Sequence, residues 1–400
     1  MDTPARPLSP PFPATPAPSA AVTYEPATQS SPQPARSRIA SLDFIRGACL
    51  MVIAFDHISS FFRKLGYQGR ELLTPTMLGY SSAAELFLFV SGALVGIIQS
   101  RPELAARQRL IRLSHRAGHL YLYNALAFVG LLAACTLLST QAIDALGLTS
   151  LVQAPFKGAR DFLTMSSSPP LLDILTLYVA FLLVAIGFIP LARRAPALAM
   201  GLSFLLYAAC QWPVAQEKLG LLAIGRGLNP WAWQLCFMVG LICGQYGILK
   251  RMQEWLAQPK VTVLLVVALV LTTAVFIADR KLGLSPESWW EKHDLGPIRL
   301  PHAALVFSAY VCLSSWPLDA RLPAAAHRIH EAIALMGCHS LEVFMAGIAL
   351  TYAVSPLVGQ HNLSTTAYYA TLAFSAAAMW CLARYLAWRA RARQPVTSPP

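Results

Sequence analysis

Apolar residues in this chain neither alternate nor keep to one helical face. They come in runs of about 17–25 residues, the length at which a helix rising about 1.5 Å per residue crosses about 30 Å of hydrocarbon. The runs predict spanning helices at 41–61, 81–99, 113–137, 171–190, 197–213, 229–248, 261–278, 302–317, 335–355 and 366–388. Period-two alternation, which barrel strands require, is missing from them. The expected fold class is therefore all-α, a polytopic transmembrane bundle of about ten helices.

Composition agrees: 56% of the 400 residues are hydrophobic and 12% charged, against about 45–50% and about 25% in soluble domains. The net charge of +12 would suggest nucleic acid in a soluble protein. Here the basic residues gather in short loops beside apolar runs, where topogenesis explains them better. With the N-terminus placed in the cytoplasm, Arg107, Arg109, Arg112, Arg193, Arg194 and Lys250 all fall on the cytoplasmic side, which puts both termini there.

Residues 1–40 are rich in Pro, Ala, Ser and Thr. They are expected to form a disordered cytoplasmic tail, without the apolar core of a signal peptide. A membrane domain follows over 41–390, then a short cytoplasmic tail over 391–400. No internal repeat of the transporter kind is evident. The eight cysteines lie in apolar stretches without a CxxC pair and read as small packing residues. No metal is expected, because His115 and His119 share a helical face but lack a third ligand. Nor is there a P-loop, GxGxxG, GxSxG or HExxH signature of a soluble enzyme.

The chemistry concentrates in the first span, SLDFIRGACLMVIAFDHISS, which carries Asp43, Arg46, Asp56 and His57. Such residues are expensive in lipid and mark functional positions there. Eleven residues separate Arg46 from His57, which returns the helix to within about 20° of the same face and separates them by about 16 Å along the axis. Asp43 shares that face, whereas Asp56 points about 100° away from His57. The competing reading makes Asp43 and Arg46 interfacial anchors and His57 a satisfied core histidine.

Span two, SSAAELFLFVSGALVGIIQS, sets Glu85 near its outer end, at the depth of Asp56 and His57 on the antiparallel first span. Glu85 is therefore expected to meet His57 or Asp56 and orient a histidine base. Ser91, Gly92 and Gly96 predict close packing on a neighbouring helix. Asp173, at the outer entrance of span four, and Arg226, Asn229, Trp231, Trp233 and Gln234, at the outer edge of span six, are candidates for binding an acceptor, or else an interfacial belt. The polar outer loop 279–301, with Trp289, Trp290, Lys292, His293 and Arg299, has the aromatic and basic residues to hold a carbohydrate or anion, and equally the composition of an ordinary solvated loop.

SLDFIRGACLMVIAFDHISS, SSAAELFLFVSGALVG, PPLLDILTLY, NPWAWQLCFMVG, DLGPIRLPHAALV and MGCHSLEVFMAGI occur in an order and spacing that resemble the OpgC family, membrane succinyltransferases of osmoregulated periplasmic glucans. The similarity runs over about residues 38–390. It implies ten spans in the bacterial inner membrane and transfer of a succinyl group from a cytoplasmic donor, succinyl-CoA, to glucan hydroxyls on the periplasmic side. No tightly bound cofactor is implied. The wider membrane acyltransferase type 3 superfamily has an arginine and a histidine in its first span with ten residues between them, and Arg46 and His57 match that spacing. The resemblance implies His57 as the base and Arg46 as the residue that binds the donor's anionic part. From their positions along the chain, Asp56 and Glu85 are expected to assist the base, Asp43 to accompany Arg46, and Asp173, Asn229, Trp231, Trp233 and Arg299 to hold the acceptor. Asn229, Gln234 and His339 are candidate oxyanion donors. The main rival is a transporter or flippase for a glycan or anion using the same buried charges, and a second is a purely structural membrane subunit.

Overall fold

The computed structural model describes residues 34–101, 103–220, 227–315 and 324–393, so the expected disordered tail up to residue 33, and Arg226, lie outside the described residues. All regular elements described are helical. Helix α1 (Pro34–Lys64) begins seven residues before the expected start of span one and is followed by a 3₁₀ turn at Pro75–Leu78. Then come α2 (Ala83–Gln99) and α3 (Ala106–Cys135).

Three short helices, α4 (Thr140–Ala145), α5 (Thr149–Gln153) and α6 (Pro155–Leu163), occupy a stretch in which no element was expected. The chain continues through α7 (Asp173–Arg194), α8 (Pro196–Cys210), α9 (Pro213–Gly220), α10 (Pro230–Gln245), α11 (Ile248–Leu256) and α12 (Pro259–Leu282). It closes with α13 (Arg299–Ser315), α14 (Ala324–Cys338), α15 (Ser340–Gly359) and α16 (Thr365–Ala392).

Six of these helices are each long and apolar enough to cross a bilayer, or seven if α10 and α11, bent by 88° from one another, make one span. That measure falls short of the expected ten for identifiable reasons. Helices α2 and α8 are apolar but only 17 and 15 residues long. The span expected at 302–317 is α13, which is itself only 17 residues long. The span expected at 229–248 turns sharply at Gly247, whose φ of 65° is the left-handed conformation that glycine tolerates best.

Helix α1 is the centre of the bundle: 67% of its apolar window is buried within the protein, against 6% for α12. The most apolar span, α12, thus turns Val263, Leu264, Val266, Val267, Val270 and Leu271 outward, a surface made for lipid rather than water. In the interior, α2 lies along α10. A Cβ on Gly92 or Gly96 would run into the carbonyls of Phe237 and Leu241, and one on Gly240 or Gly244 into those of Phe89 and Ala93. The close packing expected of span two is therefore a reciprocal contact of two small-xxx-small stripes.

Candidate functional site

His57 lies on the exposed edge of an otherwise buried turn of α1 and lines a cavity of about 830 Å³. The same cavity is lined by Asp56, by Ser82, Ala83 and Ala84 at the start of α2, by Asp173 and Ile174 at the start of α7, and by Lys292. Its remaining wall comes from α5, α6 and the segment 167–171, and Leu171 there holds a φ of 70°. That left-handed conformation, strained for a leucine, turns the chain after Pro169 and Pro170 into α7 and so presents Asp173. The His57 ring makes no hydrogen bond among the described residues. It faces the cavity with its nitrogens available, as a group that must take up and return a proton requires.

Asp56, on the neighbouring edge, accepts a hydrogen bond from Thr74 Oγ1 at 2.6 Å. The loop that brings Thr74 there is tied down in turn. Tyr368 Oη accepts from the Leu72 amide at 3.0 Å and pairs with Ser59 Oγ of α1 at 2.7 Å.

Glu85 does not meet His57 or Asp56 as expected. Its carboxylate closes a capping box with Ser82, accepting from the Ser82 amide at 3.0 Å and hydroxyl at 2.6 Å. It also accepts from Arg299 Nε at 2.8 Å and from Arg299 Nη2. Burial to 1% exposure makes such pairing obligatory. Arg299, expected in an open polar loop, is correspondingly buried in the first turn of α13. It is 6% exposed, and it also donates through Nη1 to the Trp290 carbonyl at 3.1 Å. His302, one turn along α13, accepts from the Ser81 amide at 3.1 Å. Together these contacts fix the first turn of α2, which floors the cavity.

Asn229 and Trp233 do not line the cavity either. Asn229 caps α10, its Oδ1 accepting from the Trp231 amide at 3.1 Å and its Nδ2 donating to Asp294 at 2.8 Å. Trp233 is fully buried and donates its indole N–H to the carbonyls of Lys292 and His293 at 3.0 and 3.1 Å. Trp231 is half-buried, and its indole nitrogen has no acceptor among the described residues. Gln234 spends its amide on Ser203 of α8. Of the residues expected to bind an acceptor, only Asp173 lines the cavity. The others hold its walls, because amides and indoles at a buried helix start must satisfy backbone groups first.

Arg46 belongs to a second cavity, of about 320 Å³, with Phe87, His115, Arg116, His119, Leu175, Tyr178, Ser340 and Phe344 among its lining. Arg46 donates to Ser340 Oγ through Nη2, lies 3.8 Å from Asp43, and leaves its Nε buried without a partner among the described residues. Asp43 does not line this cavity. It steadies Arg46 and accepts a weak bond from Cys338 Sγ at 3.3 Å. Arg116 donates to Tyr178 Oη at 3.0 Å, so the two guanidinium groups of Arg46 and Arg116 give the cavity a cationic wall suited to phosphate, and His115 and His119 line it beside them.

The two cavities are neighbours along the same helices. In α1 they are reached from His57 and Arg46, in α2 from Ala84 and Phe87, and in α7 from Ile174 and Leu175. Arg116, Tyr178 and Ser340 went unassigned in the sequence, and Lys292 stood out there only as one of several polar residues in the loop 279–301. The first three are ordinary span residues until the fold turns them toward Arg46. Arg116 gave little signal, because it follows Arg107, Arg109 and Arg112 and lies between His115 and His119.

A family model described as OpgC protein matches residues 38–391. No curated protein and no solved structure matches the chain.

Proposed function

The chain belongs to the OpgC family, which implies a membrane acyltransferase-like role in glucan modification, and from that premise we propose that it moves a succinyl group from cytoplasmic succinyl-CoA to hydroxyls of a periplasmic glucan across the bacterial inner membrane. The observation that supports this reading most is the stacking of two chemically distinct cavities on α1, one cationic around Arg46 and one around His57. A membrane transferase needs both, since donor and acceptor approach from opposite sides and must meet within bonding distance.

In this reading the donor's phosphates lie with Arg46 and Arg116, beside the N-terminal turn of α15 at Ser340. The pantetheine arm, long enough for the roughly 16 Å between the two levels of α1, carries the thioester to His57. The acceptor hydroxyl enters from the cavity side formed by α5, α6 and Asp173. His57 takes the hydroxyl proton as the oxygen attacks the thioester carbonyl carbon. The C–O bond forms, the tetrahedral intermediate collapses with cleavage of the C–S bond, and His57 returns the proton to the departing thiolate. Asp56 and Asp173 line the same cavity, where their carboxyl groups can hydrogen-bond the acceptor's other hydroxyls. Both termini are cytoplasmic in this arrangement.

The test is mass spectrometry of periplasmic glucans from cells with the gene, without it, and without it but complemented by His57→Ala. Succinyl substituents should vanish with the gene and return with the wild-type copy alone. Glucans unchanged by deletion would remove the reading and favour transport of a glycan or anion through the same charged core.

A further inference from the structure

The segment Lys292–Leu295 is held at every carbonyl. Trp233 takes those of Lys292 and His293, Gln211 Nε2 donates to Asp294 at 2.8 Å, and Tyr207 Oη donates to Leu295 at 3.0 Å. Leu295 is in the left-handed region, with a φ of 52°. A backbone fixed so thoroughly fixes the origin of the Lys292 side chain as well. That side chain is exposed, lines the His57 cavity, and forms no ion pair within 4 Å among the described residues. It nonetheless lies within electrostatic range of His57, Asp56 and Asp173. Lys157 of α6 also lines the cavity.

An ammonium held at the rim of a cavity, beside a proton-transfer histidine and with no carboxylate closed onto it, is a receptor for an anionic end of a substrate. We propose that Lys292 is a specificity-determining residue that receives the distal carboxylate of a dicarboxylic acyl group while the thioester carbonyl stands at His57. This rests on the acyl-transfer reading above and names the donor class within it. A two-carbon spacer separates the two carboxyl carbons of a succinyl group, so both ends fit one side of a single cavity. A neutral acyl chain of equal length leaves the ammonium without its counter-charge.

The experiment uses the purified full-length protein in nanodiscs, with a glucan acceptor and either succinyl-CoA or butyryl-CoA, which has the same chain length without the carboxylate. kcat/KM is measured for wild type, Lys292→Met and Lys292→Arg. The Lys292 side chain is exposed and the loop is anchored through backbone carbonyls, which both substitutions leave in place. The expected result is a fall of roughly 10- to 100-fold with succinyl-CoA in Lys292→Met, the range that a charge-assisted hydrogen bond is worth, with no matching fall for butyryl-CoA. Lys292→Arg should keep most of the preference for succinyl-CoA. An equal fall with both donors would assign Lys292 to the acceptor or the loop and overturn the proposal, as would an unchanged preference in Lys292→Met. A wild-type protein that transfers from neither donor overturns the acyl-transfer reading itself, and the proposal with it.

Discussion

Arg299 and Glu85, 214 residues apart in the chain, meet as a buried ion pair, with Arg299 Nε donating to Glu85 Oε1 at 2.8 Å and Nη2 donating to the same oxygen. The pair ties the first turn of α13 to the first turn of α2, where Ser82, Ala83 and Ala84 line the His57 cavity. Removing one partner strands a charge in a place that water does not reach. Arg299→Met should therefore lower stability by about 3–5 kcal/mol, read as thermal unfolding in detergent. The double variant Arg299→Met with Glu85→Leu should recover much of the loss, because two apolar residues leave no orphan charge. A single variant that melts like wild type would show that the pair does not hold α2.

His57→Ala should separate activity from folding. The ring makes no hydrogen bond among the described residues and faces the cavity, so the melting temperature should stay close to wild type. Transfer to the glucan should fall by about 10²–10⁴-fold, the range for loss of a general base. Retained transfer would move the proton-accepting role to Asp56 or Asp173.

Arg46→Ala addresses the other cavity. A lost charge-assisted contact to phosphate is worth about 1.5–3 kcal/mol, so KM for acyl-CoA should rise by roughly 10- to 100-fold while kcat changes less. Arg116→Ala, which removes the guanidinium held at Tyr178, should move KM in the same direction. An unchanged dependence on donor concentration in both would exclude this cavity as the donor's entry.

The all-helical fold, six or seven of the ten expected spans, and the placing of Arg46 and His57 on one helix were legible in the sequence because lipid tolerates few charges, and each one left in an apolar run stands out. Angular spacing along one helix then follows from geometry alone. Glu85 shows where that reasoning stops. Its depth was readable, but the choice between His57, Asp56 and a distant arginine depends on which helices are neighbours, and Arg299 lies in a segment that composition marks only as a polar loop. Asn229 and Trp233 stand away from the His57 cavity for a related reason. Polar and aromatic residues at a helix start look alike whether they face a ligand or a loop, and here the loop 292–295 takes their hydrogen bonds. The wall built by α5 and α6 was invisible because short helices outside the membrane carry no long apolar run.

The contact of α2 with α10 makes the last prediction. Their backbones approach so closely that a Cβ at Gly240 meets the Phe89 carbonyl, and a backbone carbonyl cannot swing aside as a flexible side chain can. Gly240→Val should force the helices apart at a cost of about 1–3 kcal/mol or more and lower the yield of folded protein. Because the displaced turns lie directly below Ala84, the His57 cavity should lose its shape as well, so the surviving protein should transfer more slowly. Gly130→Ala is the control: no atom lies within 4 Å of the added methyl, and both yield and transfer should match wild type. If Gly240→Val behaves like Gly130→Ala in a size-exclusion and thermal-unfolding assay, the close packing of α2 on α10 is not what holds the floor of the site.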